Sequence, residues 1–105
     1  SDDMLIIRGV NIFPRQIEEL IVSQPGLTAH YRIDVRRDGA MDMLIVTCEA
    51  ATSDEALHGT ARAQLSTRMK SKYGLSADIA IAVPGSLPRS EGKAKRVFDH
   101  RKDKP

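Results

Sequence analysis

The chain is poor in cysteine and aromatic residues: Cys48 is its one cysteine, tryptophan is absent, and aromatics make up 4% of its 105 residues. A single cysteine cannot form an internal disulfide, and His30, His58 and His100 lack the spacing of a metal site. No apolar run approaches the roughly 20 residues that cross a bilayer. The amino-terminal SDDMLIIRG also lacks the basic start and cleavage site of a secretory signal. We therefore expect a cytoplasmic protein without disulfide, metal or membrane chemistry.

Charge is nearly balanced over most of the chain and becomes positive at its end. Hydrophobic residues make up 41% and charged residues 29%, which is ordinary for one small globular domain spanning residues 1–105. The net charge of +2 is too mild for a dedicated nucleic-acid binder. The excess lies in one basic tail, whose cations are Arg89, Lys93, Lys95, Arg96, Arg101, Lys102 and Lys104. This distribution favours an anionic partner at that end.

Hydrophobic periodicity in the first half predicts a hairpin followed by a helix. The apolar runs MLII and VNIF flank Gly9, which favours two short strands around a glycine turn. Pro14 suits the first turn of a helix, and apolar residues then recur at helical spacing until QPG ends the pattern. The predicted helix spans about residues 14–23.

The second half predicts a hairpin, a longer helix and a last strand. Apolar and polar residues alternate from 30 to 36, Asp38-Gly39 is a strong turn signal, and MDMLIVTCEA returns as a second strand. A helix is expected to start at Ser53, which Asp54 and Glu55 follow, and to end at Gly74. Large apolar residues alternate with small or polar ones from 78 to 83, which predicts a last strand that ends at PGSLP.

This order predicts an α+β fold of the split β-α-β kind. After the initial β-hairpin, the elements follow a βαββαβ-like order, with a small antiparallel sheet and two main helices on one of its faces. A flexible basic C-terminal tail is expected to follow.

Within the tail, SEGKAKR places Lys93 directly after a glycine. Glycine lets a backbone approach a ligand closely, and lysine supplies a compact ammonium suited to a phosphate or a developing oxyanion. A basic run at a domain end is more often a solvated tail, and no P-loop pattern is present. From the residues alone, both interpretations of Lys93 remain open.

Two separated motifs, DDMLIIRGVNIFPRQIEE and PGSLPRSEGKAKRV, add a family resemblance. Together they resemble the C-terminal domain of adenylate-forming acyl-CoA ligases, and their wording looks like that of the phenylacetate-CoA ligases. The resemblance implies a two-step reaction, in which an aryl carboxylic acid and ATP with Mg²⁺ give an acyl-adenylate, and coenzyme A then displaces AMP. It also implies a mobile lid whose partner, the N-terminal adenylation domain, is absent from this chain, so that the isolated domain is inactive and binds no cofactor tightly.

The resemblance implies roles for individual residues. Lys93 matches the catalytic lysine of the adenylation step, with Lys95 as the nearby rival. Asp2 matches the hinge position, and Gly9 matches the glycine that leaves a channel for the pantetheine arm of coenzyme A. Asn11 stands where some relatives carry an arginine that can meet a coenzyme A phosphate, which puts phosphate binding by that route in doubt. Arg8 or Arg15 could take over, and the sequence selects neither.

The alternative is a stand-alone ferredoxin-like binding module for RNA or an anionic small ligand. An RNA platform needs two or three exposed rings, whereas the central hairpin offers only Tyr31, on the face predicted to be buried. Cys48 shares a strand face with Leu44 and Val46, so a buried thiol acting as a small hydrophobe is expected.

Overall fold

The structure, a computed structural model, describes residues 3–89 and 95–103 and confirms the α+β class. Six strands and two α-helices follow in the order β1 (Leu5–Ile7), β2 (Val10–Ile12), α1 (Pro14–Val22), β3 (Leu27–Asp38), β4 (Met41–Ala50), α2 (Glu55–Tyr73), β5 (Asp78–Ala82) and β6 (Val97–Asp99). A short 3₁₀ turn, His100–Asp103, follows β6.

Both helices begin and end at recognisable caps. Pro14 opens α1, and the Gln16 side chain accepts the N–H of Phe13 at 2.7 Å, which satisfies a donor ahead of the first turn. Helix α2 is capped by Asp54, whose carboxylate accepts the Ala56 N–H at 2.9 Å, so the cap lies one residue after Ser53. Gly74 ends α2 in the left-handed conformation, with φ of 70°.

The larger sheet has the strand order β5-β4-β3-β6, and β1 pairs with β2 in a separate antiparallel hairpin. Within the larger sheet, only the central pair, β3 with β4, is antiparallel. Strand β5 runs parallel to β4, and β6 runs parallel to β3. The expected antiparallel sheet is therefore corrected to a mixed one. The physical reason is the connection through α2, which is long enough to bring β5 back in the direction of β4.

The tail is the second correction, because its described part belongs to the sheet. Val97, Phe98 and Asp99 pair in register with Ile33–Val35, and the Ile33 N–H donates to the Arg96 carbonyl at 2.8 Å. The Arg101 side chain is only 11% exposed. Residues 95–101 are thus part of the packed domain.

The core lies between the two helices and one face of the sheet. In β3 and β4 the inward face alternates with a polar or partly covered one, as a half-buried antiparallel pair requires. Tyr31 and Cys48 lie opposite each other on the inward face, as predicted. The residues packed there from the helices and the central strands include Ile17, Leu20, Ile21, Ile33, Val35, Leu44, Val46, Leu65 and Met69.

Candidate functional site

The β1–β2 hairpin presents Arg8 and Gly9 at its tip. Ile7 pairs with Val10, so these two residues form the whole loop, and both have positive φ, 47° for Arg8 and 78° for Gly9. Two-residue hairpin loops of this kind need positive φ at both positions, a conformation that glycine adopts without strain. The turn accounts for glycine at position 9.

The space around Gly9 is open. The residue is exposed, and a Cβ built on it would meet no described atom within 4 Å. The described residues therefore leave this backbone accessible to a ligand. A Cβ at position 9 would clash with none of the described residues.

Two arginines fasten the hairpin to the rest of the fold. The Arg8 guanidinium donates to the carbonyls of Asp42, at 2.6 Å, and Ser76. Arg101, which follows β6, donates to the Ile6 carbonyl at 2.8 Å and to Asp42 Oδ2 at 3.0 Å. The start of the chain and its end are thereby joined through the first residues of β4.

The Asp42 carboxylate is the centre of this junction. Burial by itself raises the pKa of Asp42, but hydrogen bonds from the Arg8 backbone N–H and from the Arg37 and Arg101 side chains outweigh burial and lower it overall. Asp42 therefore stays ionised and keeps the junction intact over the physiological pH range.

Glu49, at the end of β4, is a buried carboxylate, only 1% exposed. Its two oxygens accept from Arg89 at 2.7 Å each, and Oε1 also accepts the Leu87 N–H at 3.1 Å. The bonds from Arg89, aided by backbone N–H groups of Leu87 and Gly85, outweigh burial and lower the pKa of Glu49 to about 2. An ionised fork thus holds the chain just ahead of residues 90–94.

Cation–π stacking anchors the chain just after residues 90–94. The Lys95 ammonium lies 4.7 Å from the centre of the Phe98 ring, and the Arg32 guanidinium lies 3.9 Å from it. Arg96 lies 4.9 Å from the Tyr31 ring and donates to the Ala29 carbonyl at 3.1 Å. Both flanks of the segment that contains Lys93 are therefore bound to the sheet.

Residues 9–101 match the family of AMP-binding enzyme C-terminal domains. The chain belongs to this family. It is 51% identical to the phenylacetate-coenzyme A ligase of Escherichia coli and 35% identical to that of Thermus thermophilus, over 96% and 97% of its length. It spans about a quarter of the length of these curated relatives, 24% and 27%.

Solved structures show the same relationship. A domain of phenylacetate-coenzyme A ligase from Bacteroides vulgatus superposes with a TM-score of 0.82 and 29% identity, covering 94% of this chain and 93% of that one. A 2-hydroxyisobutyryl-CoA ligase in its thioesterification state, with 2-HIB-AMP and CoA, superposes with a TM-score of 0.84 and 34% identity, covering 93% of this chain and 21% of that one. The same ligase in its postadenylation state gives a TM-score of 0.82 at 33% identity, covering 96% and 22% of the two chains.

Of the predicted site residues, the structure places Gly9 at the exposed hairpin tip, whereas Asp2 and Lys93 lie outside the described residues. The rival Lys95 is exposed and stacked on Phe98. Sequence analysis missed the Glu49–Arg89 pair, since a glutamate at the end of a strand gives no sign of a partner 40 residues later. It also missed the structural role of Arg101, because an arginine within a run of basic residues looks like a solvated charge.

The reactive side chains of Cys48 and Tyr31 are packed in the core. Burial raises the pKa of the Cys48 thiol to about 12, which keeps it protonated and unreactive. Burial and a hydrogen bond to Glu18 raise the pKa of Tyr31 to about 12 as well. Residues 3–89 and 95–103 contain no group of three metal-ligating side chains, and none of the helices described there is long and apolar enough to span a membrane.

Proposed function

We propose that this chain is the mobile C-terminal domain of an AMP-forming phenylacetate-CoA ligase. The full protein would convert an aryl acid and ATP into an acyl-adenylate and pyrophosphate, and would then transfer the acyl group to coenzyme A. The observation that carries this proposal is the 51% identity to the Escherichia coli phenylacetate-coenzyme A ligase across 96% of the chain.

In the first step, Lys93 is the catalytic residue. Its ammonium offsets the negative charge that builds up between the substrate carboxylate and the α-phosphate, two anions that otherwise repel. Preorganised charge stabilisation of this kind contributes on the order of 10²- to 10³-fold in rate. The anchors on both sides of residues 90–94, Glu49 with Arg89 and Phe98 with Lys95, support the delivery of this lysine from a fixed base.

In the second step, the domain turns about a hinge at Asp2 and presents Gly9 to the active site. The open space around Gly9 supports a role as one wall of the pantetheine channel. The resemblance of this fold to one relative's domain in both its postadenylation and thioesterification states supports rotation as a rigid body.

Substrate binding belongs mainly to the partner, the N-terminal adenylation domain. ATP arrives with Mg²⁺ as a substrate, coenzyme A follows, and this domain by itself binds none of them tightly and is inactive. The enzyme works in the cytoplasm, and neither nucleic acid nor a membrane is among its partners.

The test uses the full-length enzyme that carries this chain. Phenylacetate-dependent release of pyrophosphate is measured for the wild type and for Lys93→Ala and Lys95→Ala. We expect Lys93→Ala to lower adenylation by about 10²- to 10³-fold. Lys95→Ala should have a much smaller effect, because its ammonium is stacked on Phe98 and the Arg96 carbonyl still fixes that flank through the Ile33 N–H. The reverse pattern would reassign the catalytic lysine, and no acid-dependent release by the wild type would refute the function.

The alternative of an RNA-binding module receives little support from the structure. Tyr31 is 8% exposed and packs in the core, where its ring cannot stack on a base. Tight, steeply salt-dependent binding of single-stranded RNA by the isolated chain would favour that alternative over the ligase.

A further inference from the structure

Glu49 is buried at a position where an ionised carboxylate is energetically unfavourable without partners. An ionised carboxylate taken out of water is expensive unless charge and hydrogen bonds compensate it, and replacing a buried ion pair with apolar residues is often neutral or stabilising. Glu49 faces away from the helix-covered core, since its neighbour Cys48 points into that core. The hydrogen bonds recorded for its carboxylate come from the chain that follows β5.

That following chain folds back over the sheet in a defined way. The Ser86 backbone N–H and Oγ both donate to the Val83 carbonyl, at 3.2 and 2.6 Å, and Gly85 has φ of 80°, which closes a tight turn. After this turn, the Leu87 N–H donates to the Glu49 carboxylate. Both terminal nitrogens of Arg89 donate to the same carboxylate.

The two-bond geometry of the Glu49–Arg89 pair fixes the orientation of the Arg89 side chain as well as its position. A guanidinium that meets a carboxylate with two parallel bonds fixes a plane and a direction, whereas a lysine at the same place would provide only a point charge. The Glu49 side chain is 1% exposed, near the end of a strand that lies between β5 and β3, while the Arg89 side chain is 49% exposed at the surface. Glu49 therefore acts as the fixed member and Arg89 as the member that is held.

We propose that the Glu49–Arg89 pair positions Lys93, which follows Arg89 by four residues in the sequence, for the adenylation step. This inference rests on the proposed function. Glu49 and Arg89 are positioning residues that act through Lys93 and touch no substrate. The Arg96 carbonyl, which accepts the Ile33 N–H at 2.8 Å, fixes the other end of the same segment.

The experiment separates the two half-reactions in the full-length enzyme. Glu49→Gln keeps the shape of the side chain and removes its charge, and Arg89→Lys keeps the charge and removes the fork. Both should lower adenylation by about 10- to 100-fold, the scale of a small misplacement of a reacting group. Thioester formation from supplied acyl-adenylate and coenzyme A should be unchanged, because Lys93 does not serve that step.

A double variant shows whether the pair acts through the lysine. When Lys93→Ala is already present, adding Glu49→Gln should cause no further loss of adenylation, since nothing remains to be positioned. The matched control is Arg68→Gln, which removes an arginine bonded to Leu20, Ser23 and Gln24 on the helical layer. If it changes activity at all, it should do so equally in both half-reactions.

The outcomes keep the two proposals distinct. A wild type that releases no acid-dependent pyrophosphate refutes the proposed function. An active wild type whose Glu49→Gln and Arg89→Lys variants lose both half-reactions equally, lose neither, or add their full effect to that of Lys93→Ala refutes the positioning role. If Glu49→Gln yields no folded protein, Arg89→Lys decides the question, because its side chain is half exposed.

Discussion

Substitution of Gly9 offers a way to separate backbone strain from obstruction of the coenzyme A channel. Gly9 has φ of 78°, and a Cβ there meets no atom of the described residues within 4 Å. Gly9→Ala and Gly9→Leu therefore impose the same left-handed strain, about 1–2 kcal/mol, without an internal clash. They differ in how far the side chain projects from the hairpin tip.

The strain falls on a hairpin held by bonds that neither substitution removes. Arg8 remains bonded to Asp42 and Ser76, and Arg101 remains bonded to Ile6. We expect both variants to fold with the same loss of stability, because both impose the same positive-φ strain and their Cβ atoms clash with none of the described residues. Any difference in activity between them must then come from outside the domain.

The assay measures adenylation and thioester formation for both variants in the full-length enzyme. Adenylation should be spared in both. Thioester formation should be nearly lost in Gly9→Leu, whose side chain obstructs the pantetheine arm, and only weakened in Gly9→Ala.

Gly39→Leu is the matched control for this prediction, since Gly39, in the other hairpin, also has positive φ, 61°, and a Cβ built on it would meet no described atom within 4 Å. It should leave the ratio of the two half-reactions unchanged. Equal losses of adenylation and thioester formation in Gly9→Leu, or identical thioester rates for Gly9→Ala and Gly9→Leu, would refute the channel role.

Two further predictions concern stability and are tested on the isolated chain. Asp54→Ala removes the cap of α2 and should cost about 1 kcal/mol, lowering Tm by about 4 °C, whereas Ser53→Ala should leave Tm unchanged; equal shifts would contradict the cap assignment. Because the pKa of Glu49 falls from 4.5 to about 2 on folding, its contribution is present above pH 4.5 and is lost as the pH falls toward 2. Urea unfolding should show a shallower acid dependence for Glu49→Gln than for the wild type, and parallel curves would contradict this sign.

The elements that sequence analysis predicted well are those whose signals are local. Pro14 and Gly74 mark ends of α1 and α2, and Asp38-Gly39 marks the turn between β3 and β4. Strand β6 was missed because its three residues, Val97–Asp99, lie among the charged residues of the basic tail, without the apolar runs and turn glycine that marked β1 and β2. Its pairing partner, Ile33–Val35, lies more than 60 residues earlier. The mixed sheet was missed because strand direction depends on how the connections pack.

For the candidate site, the sequence by itself determined the family resemblance, the hairpin around Gly9 and the position of Lys93 in a basic segment, because these depend on residue identity and short spacing. The tertiary structure decided which charges are solvated and which are structural. Glu49 and Arg89 are 40 residues apart, and Asp42 and Arg101 are 59 apart. Only the folding of the sheet brings them within hydrogen-bonding distance, since the partner of a charge depends on three-dimensional proximity rather than on its neighbours in the chain.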